Sequence, residues 1–156
     1  MDKQERKECA QCQKLPPELI KVWWSKVSGS VRLYLIKYQE LTSDMIEKLW
    51  KDIRNVDRDF CVRFQTLASD FIAGQWGSMD FHMRTLCCLY QVPPPDLVLA
   101  HWDVMTIPEQ KAVLVGECFA QFPLAYLPQF LTMENDVLRQ MVLKQLEKRG
   151  QTLKLE

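Results

Sequence analysis

At 156 residues, with 47% hydrophobic and 26% charged side chains but only 5 Gly and 8 Pro, the chain has a folded domain's composition, not a low-complexity or disordered one's. Lys plus Arg equals Asp plus Glu at 20 each, so no net field draws a nucleic-acid backbone.

Residues 1–14 are mostly charged or amide-bearing and read as a flexible N-terminal segment, without the basic flank and apolar stretch of an export signal. The domain proper is expected over residues 15–150. Between Pro16 and Leu41 two readings compete. Leu19, Trp23, Val27, Val31, Leu35 and Tyr38 form one helical stripe, while Val22–Val27 and Val31–Tyr38 could pair as a hairpin across residues 20–40. Helices are preferred, because no third strand exists to support a hairpin.

From Ser43, Ile46, Leu49, Trp50 and Ile53 predict an amphipathic helix capped by Thr42, Ser43 or Asp44. Asp57 to Ala73 continues the pattern as one helix, with Gly74 placed for a left-handed C-terminal cap. Ser78 is expected to cap a third helix, stopped by Pro93-Pro94-Pro95, which marks a joint at residues 93–95. Asp96–Met105 makes about two turns. Thr106-Ile107-Pro108-Glu109 is a capping box opening a helix to about Phe122. After Pro123 and Pro128, a last helix is expected from Thr132 to near Gly150, followed by a tail at 151–156. The preceding residues Leu41, Met105 and Leu131 resemble one another, but they read as helix starts and not as a repeat of fixed period.

The expected fold is therefore all-α, a single domain of about six or seven helices in a bundle or a short stack of antiparallel helix pairs; the alternative is α+β with one hairpin. The longest uncharged run, Cys118 to Met133, is interrupted by Pro123 and Pro128 and is too short to span a bilayer. Six cysteines without an export signal point to reduced thiols and an intracellular protein, cytoplasmic or nuclear.

Chemistry is sparsely signalled. Cys9-Ala10-Gln11-Cys12 has the spacing of half a zinc site, so Cys9 and Cys12 are candidate metal ligands, although no second such pair completes them. His82 and His101 are the only imidazoles and belong to no catalytic motif, and phosphate-binding glycine loops and nucleophile elbows are absent. Asp57 with Asp59, and Glu134 with Asp136, read as solvated charges. Phe71–Ser78 resembles, over eight residues, the Asn-Trp-Gly-Arg segment of Bcl-2-like proteins, but Gln75 and Ser78 replace its Asn and Arg and no membership follows.

Large apolar side chains then carry the functional reading. Phe119, Phe122, Tyr126 and Phe130 follow steps of three, four and four, aligning four rings if the helix only bends at Pro123. Trp23 and Trp24 cannot both enter one core, and Trp102 stands beside His101. These rings, with Asp96, Asp103 and Glu117 as an acidic rim, are expected to dock another protein, such as a basic or apolar helix. The expectation is a non-catalytic helical interaction module, adaptor or scaffold of an intracellular complex, without direct nucleic-acid or membrane contact. Alternatives are a zinc-dependent interaction module or an unrecognised helical enzyme.

Overall fold

The computed structural model describes residues 1–131, 134–148 and 150. Every regular element among them is helical, and residues 20–40 form two helices with no hairpin. The expected helix start at Thr132 and the tail 151–156 lie outside the described residues. Among the described residues twelve α-helices replace the expected six or seven, because several anticipated long helices are each divided in two. The packing separates two compact units, Met1–Ile72 and the residues from Ala73 onward. Pro93–Pro95 falls inside the second, where Pro95 is the first residue of a helix.

A period governs the elements. Helices α1 (Lys3–Cys12), α3 (Gly29–Tyr38), α5 (Asn55–Phe64), α7 (Phe81–Tyr90) and α9 (Ile107–Val115) begin 26 residues apart. Between them, α2 (Pro17–Trp24), α4 (Ser43–Leu49), α6 (Ser69–Gln75) and α8 (Pro95–His101) begin at the same interval. The protein is a tandem repeat of helix pairs, which corrects the reading that no fixed period exists. Stacked pairs bury faces that no pair could bury alone. Within the first unit α3 packs on both α1 and α5, and within the second α7 packs on α9.

The repeated residues explain the period. Trp24, Trp50, Trp76 and Trp102 share one register and all are buried. Each stands at or just past the end of its short helix, and the carbonyls of Trp24 and Trp50 are left without a helical partner. The following helix supplies the donor: Arg32 Nε donates to the Trp24 carbonyl at 3.0 Å, and Arg58 Nε and Nη2 donate to that of Trp50 at 3.0 and 2.8 Å. The same guanidinium groups lie 5.7 and 5.5 Å from the Trp24 and Trp50 ring centroids, adding cation–π attraction. Gln110 Nε2 takes the equivalent role at Trp102, 3.0 Å away.

A second register holds Gln13, Gln39, Gln65 and Gln91. All four are helix C-caps in extended conformation, each backbone N–H bonded four residues back. The side chains of Gln39 and Gln65 join successive pairs. Gln39 Oε1 accepts from Leu15 N at 2.7 Å while its amide donates to the carbonyls of Ala10 and Gln13. One repeat on, Gln65 Oε1 accepts from Leu41 N at 2.8 Å and its amide donates to the carbonyls of Ile36 and Gln39. One buried side chain thus satisfies three backbone groups of the preceding connection.

These devices break helices that periodicity alone would prolong. The expected helix Asp57–Ala73 is two, separated at the Gln65 cap, and Gly74 lies inside α6 without a left-handed conformation. Asp80, not Ser78, caps α7, accepting from Met83 N at 2.8 Å. Thr106 caps α9 with the anticipated capping box, but that helix ends at Gly116. There the chain passes so close to Cys88 that an added Cβ would lie 1.9 Å from its carbonyl oxygen. Helix α10 (Glu117–Ala120), a 3-10 turn at Leu124–Tyr126, α11 (Leu127–Leu131) and α12 (Asp136–Lys148) depart from the repeat. Asn135 Oδ1 accepts from Val137 N and Leu138 N to start α12. The N-terminal segment expected to be flexible is α1, with a reciprocal Asp2–Glu5 capping box, docked on α3 through buried Ala10.

Candidate functional site

Most rings expected on a docking face are interior. Phe119, Phe122 and Phe130 are at most 2% exposed, with centroids 5.4 to 5.9 Å apart, and Trp102 meets Phe130 edge-on at 4.7 Å. Trp24 is buried beneath Arg32, while Trp23 is half-buried. The aromatic steps after Phe119 do not align on one bent helix. The chain leaves α10, turns and re-enters at α11, so the rings converge as core instead of lining an outer face. Half-buried Tyr126 donates its hydroxyl to Asp96 at 2.8 Å, and the bond to that carboxylate raises its pKa. Asp96, Asp103 and Glu117 are exposed.

The other chemical candidates stay separate. On α1, Cys9 Sγ donates to Gln13 Oε1 at 3.3 Å and Cys12 is exposed; no group of three metal-binding side chains forms among the described residues. Burial pushes the thiols of Cys61, Cys87 and Cys118 up to about 12 and that of Cys88 higher still, leaving them protonated and poor nucleophiles. His101 Nδ1 lies 2.8 Å from the Leu97 carbonyl, and His82 is on the exposed side of α7.

Among the described residues two carboxylates are buried. Asp57, expected in solvent, is fully buried and receives Nε and Nη2 of Arg54 at 3.0 and 2.9 Å. Glu109 is also fully buried. It takes Arg84 Nε at 2.7 Å on one oxygen and the Thr106 N–H and hydroxyl, both at 2.7 Å, on the other. Burial raises the Glu109 pKa, but these donors outweigh it and hold the carboxyl below its usual value. Both carboxylates are engaged in internal bonds that order helix starts.

What remains outside is a row of rings and cations on α1, α3 and α5. Tyr34 and Tyr38 are one turn apart on α3 with centroids at 5.6 Å, and Phe60 and Phe64 repeat the pair on α5 at 5.5 Å. Tyr38 and Phe64 are 41% and 46% exposed, far beyond the core rings. Lys37 Nζ stands 5.1 Å from the Tyr38 centroid and 5.7 Å from that of Phe64, bridging consecutive repeats. Lys7 Nζ stands 5.2 Å from the Tyr34 ring. Neither lysine has a carboxylate partner among the described residues. Beside the row, at the ends of these helices, lie two clefts related by one repeat. One, of about 330 Å³, runs between Cys12–Lys14 and Tyr38–Glu40; the other, of about 430 Å³, runs between Tyr38–Ser43 and Phe64–Thr66.

Sequence reasoning missed this row because it took Tyr38 as one member of an inward stripe. The available signal was spacing: Tyr38, Phe64 and Tyr90 share one register, as the buried tryptophans do. No protein-family profile, curated protein or solved structure matches the chain.

Proposed function

We propose that this protein is a non-catalytic helical repeat module that binds another protein, serving as an adaptor or scaffold within an intracellular, cytoplasmic or nuclear, complex. The observation that carries the reading is the exposed aromatic at one register. Core positions recur because stacking demands it, but packing makes no such demand of Tyr38, Phe64 and Tyr90, which are 41%, 46% and 47% exposed. Exposed rings kept in step with the repeat fit a recognition role, since aromatics contribute large contact area at low entropic cost. The protonated, buried thiols and internally bonded carboxylates fit a scaffold better than a reactive centre.

The experiment is proximity labelling in cells with the wild type, the Tyr38→Ala/Phe64→Ala double variant and Val104→Ala as an exposed apolar control. The proposal expects the double variant to keep its fold and lose a defined set of neighbours that the control keeps. Identical neighbours for all three proteins would refute it.

A further inference from the structure

We propose that the row on α1, α3 and α5 receives an acidic peptide segment bearing apolar or aromatic side chains. This identifies the partner chemistry of the face described above and rests on the interaction-module reading. Lys7 and Lys37 lie over rings and form no ion pair with a carboxylate among the described residues. Such ammonium groups attract carboxylates, while the edges of Tyr38 and Phe64 offer apolar surface beside them. This complement differs from the basic partner expected from the acidic residues Asp96, Asp103 and Glu117.

Geometry sets the length of the segment. Packed helices lie about 8–10 Å apart and an extended chain advances about 3.3 Å per residue, so one repeat corresponds to about three peptide residues. Crossing α1, α3 and α5 requires about seven residues, with apolar side chains about every third position. The clefts flanking Tyr38 give such a segment two equivalent places to lodge side chains. A single-stranded nucleic acid fits less well. Glu8 and Asp59 stand on the same helices, and a polyphosphate cannot skip them as a peptide can by placing neutral residues there.

The test selects a random 12-residue peptide library on the full-length protein, then measures enriched peptides by fluorescence anisotropy against the wild type and Lys7→Glu/Lys37→Glu. Enriched peptides should be net acidic with spaced apolar residues. They should bind the double variant at least about tenfold more weakly and lose affinity as salt rises. If the double reversal lowers Tm, Lys37→Gln, which removes the charge and keeps most of the side chain, should weaken binding in the same direction. Neutral or basic enriched peptides, unchanged binding by the lysine variants, or no enrichment at all would overturn the proposal. So would competition by a 12-nucleotide oligouridylate, which would assign the row to nucleic acid, or a dimer of the protein alone that the lysine variants dissociate, which would assign it to a second copy. Cellular neighbours lost in Tyr38→Ala/Phe64→Ala without acidic peptide selection would sink this inference alone; unchanged neighbours would sink the interaction reading with it.

Discussion

The glutamine register permits a test in which one protein contains its own control. Gln65 is buried, and its side chain satisfies Leu41 N and the carbonyls of Ile36 and Gln39. Gln13 occupies the same register and caps its helix in the same way, but it is exposed and its side-chain oxygen receives only the weak Cys9 thiol. Truncating Gln65 to Ala removes three bonds and strands three buried backbone groups. At about 1–3 kcal/mol for each stranded group, reduced where water enters the vacated space, the loss should be about 3–5 kcal/mol. Gln13→Ala should change stability by less than about 0.5 kcal/mol. Urea unfolding followed by tryptophan fluorescence and far-UV circular dichroism would measure both, the slope confirming that the same surface unfolds. Comparable losses for the two variants would refute the claim that the amide acts by clamping the preceding connection.

Gly116→Ala should cost more than about 3 kcal/mol or prevent folding, because its Cβ would meet the Cys88 carbonyl at 1.9 Å; Gly74→Ala, inside α6 with nothing within 4 Å, should stabilise by about 0.5–1 kcal/mol, both read by thermal unfolding. The lowered Glu109 pKa means that its stabilisation is complete above the usual value of 4.5 and disappears as pH falls through the lower folded value, so Glu109→Gln should cost about 3 kcal/mol near neutrality and flatten the acid limb of a stability-versus-pH curve. An unaltered acid limb would contradict that assignment. Iodoacetamide should modify Cys12 and then Cys9 in the native protein, with Cys61, Cys87, Cys88 and Cys118 reacting only after denaturation; mass spectrometry would show early native labelling of any of those four, which would contradict their burial.

The helical class was legible because apolar residues recur at three- and four-residue steps throughout, and the Thr106 capping box because it is a local bonding pattern. The repeat was harder to read because stacking constrains chemistry more loosely than identity. Ile20, Ile46, Ile72 and Val98 need only be apolar, as do Leu35, Cys61, Cys87 and Val113. Identity persists mainly at Trp24, Trp50, Trp76 and Trp102 and at Gln13, Gln39, Gln65 and Gln91. Spacing them was sufficient to find the period, but each looked ordinary in isolation. Helix ends were misplaced where a capping glutamine turns extended, as at Gln65, or where the backbone approaches another segment closely, as at Gly116. The candidate surface was misjudged for a related reason. Aromatic content after Phe119 suggested surplus, yet the turns between α10 and α11 gather those rings inward, while the exposed rings belong to helices that looked amphipathic and complete.

If the 26-residue helix pair is the unit of this fold, removing residues 41–66 restores an equivalent junction, with Glu40 followed by Leu67 as it was by Leu41. Thermal unfolding monitored by far-UV circular dichroism should show the wild-type helical signal per residue and a cooperative transition for that deletion, but not for one shortened by three residues, which breaks the register. Equal disruption of both deletions, or equal tolerance of both, would contradict the repeat.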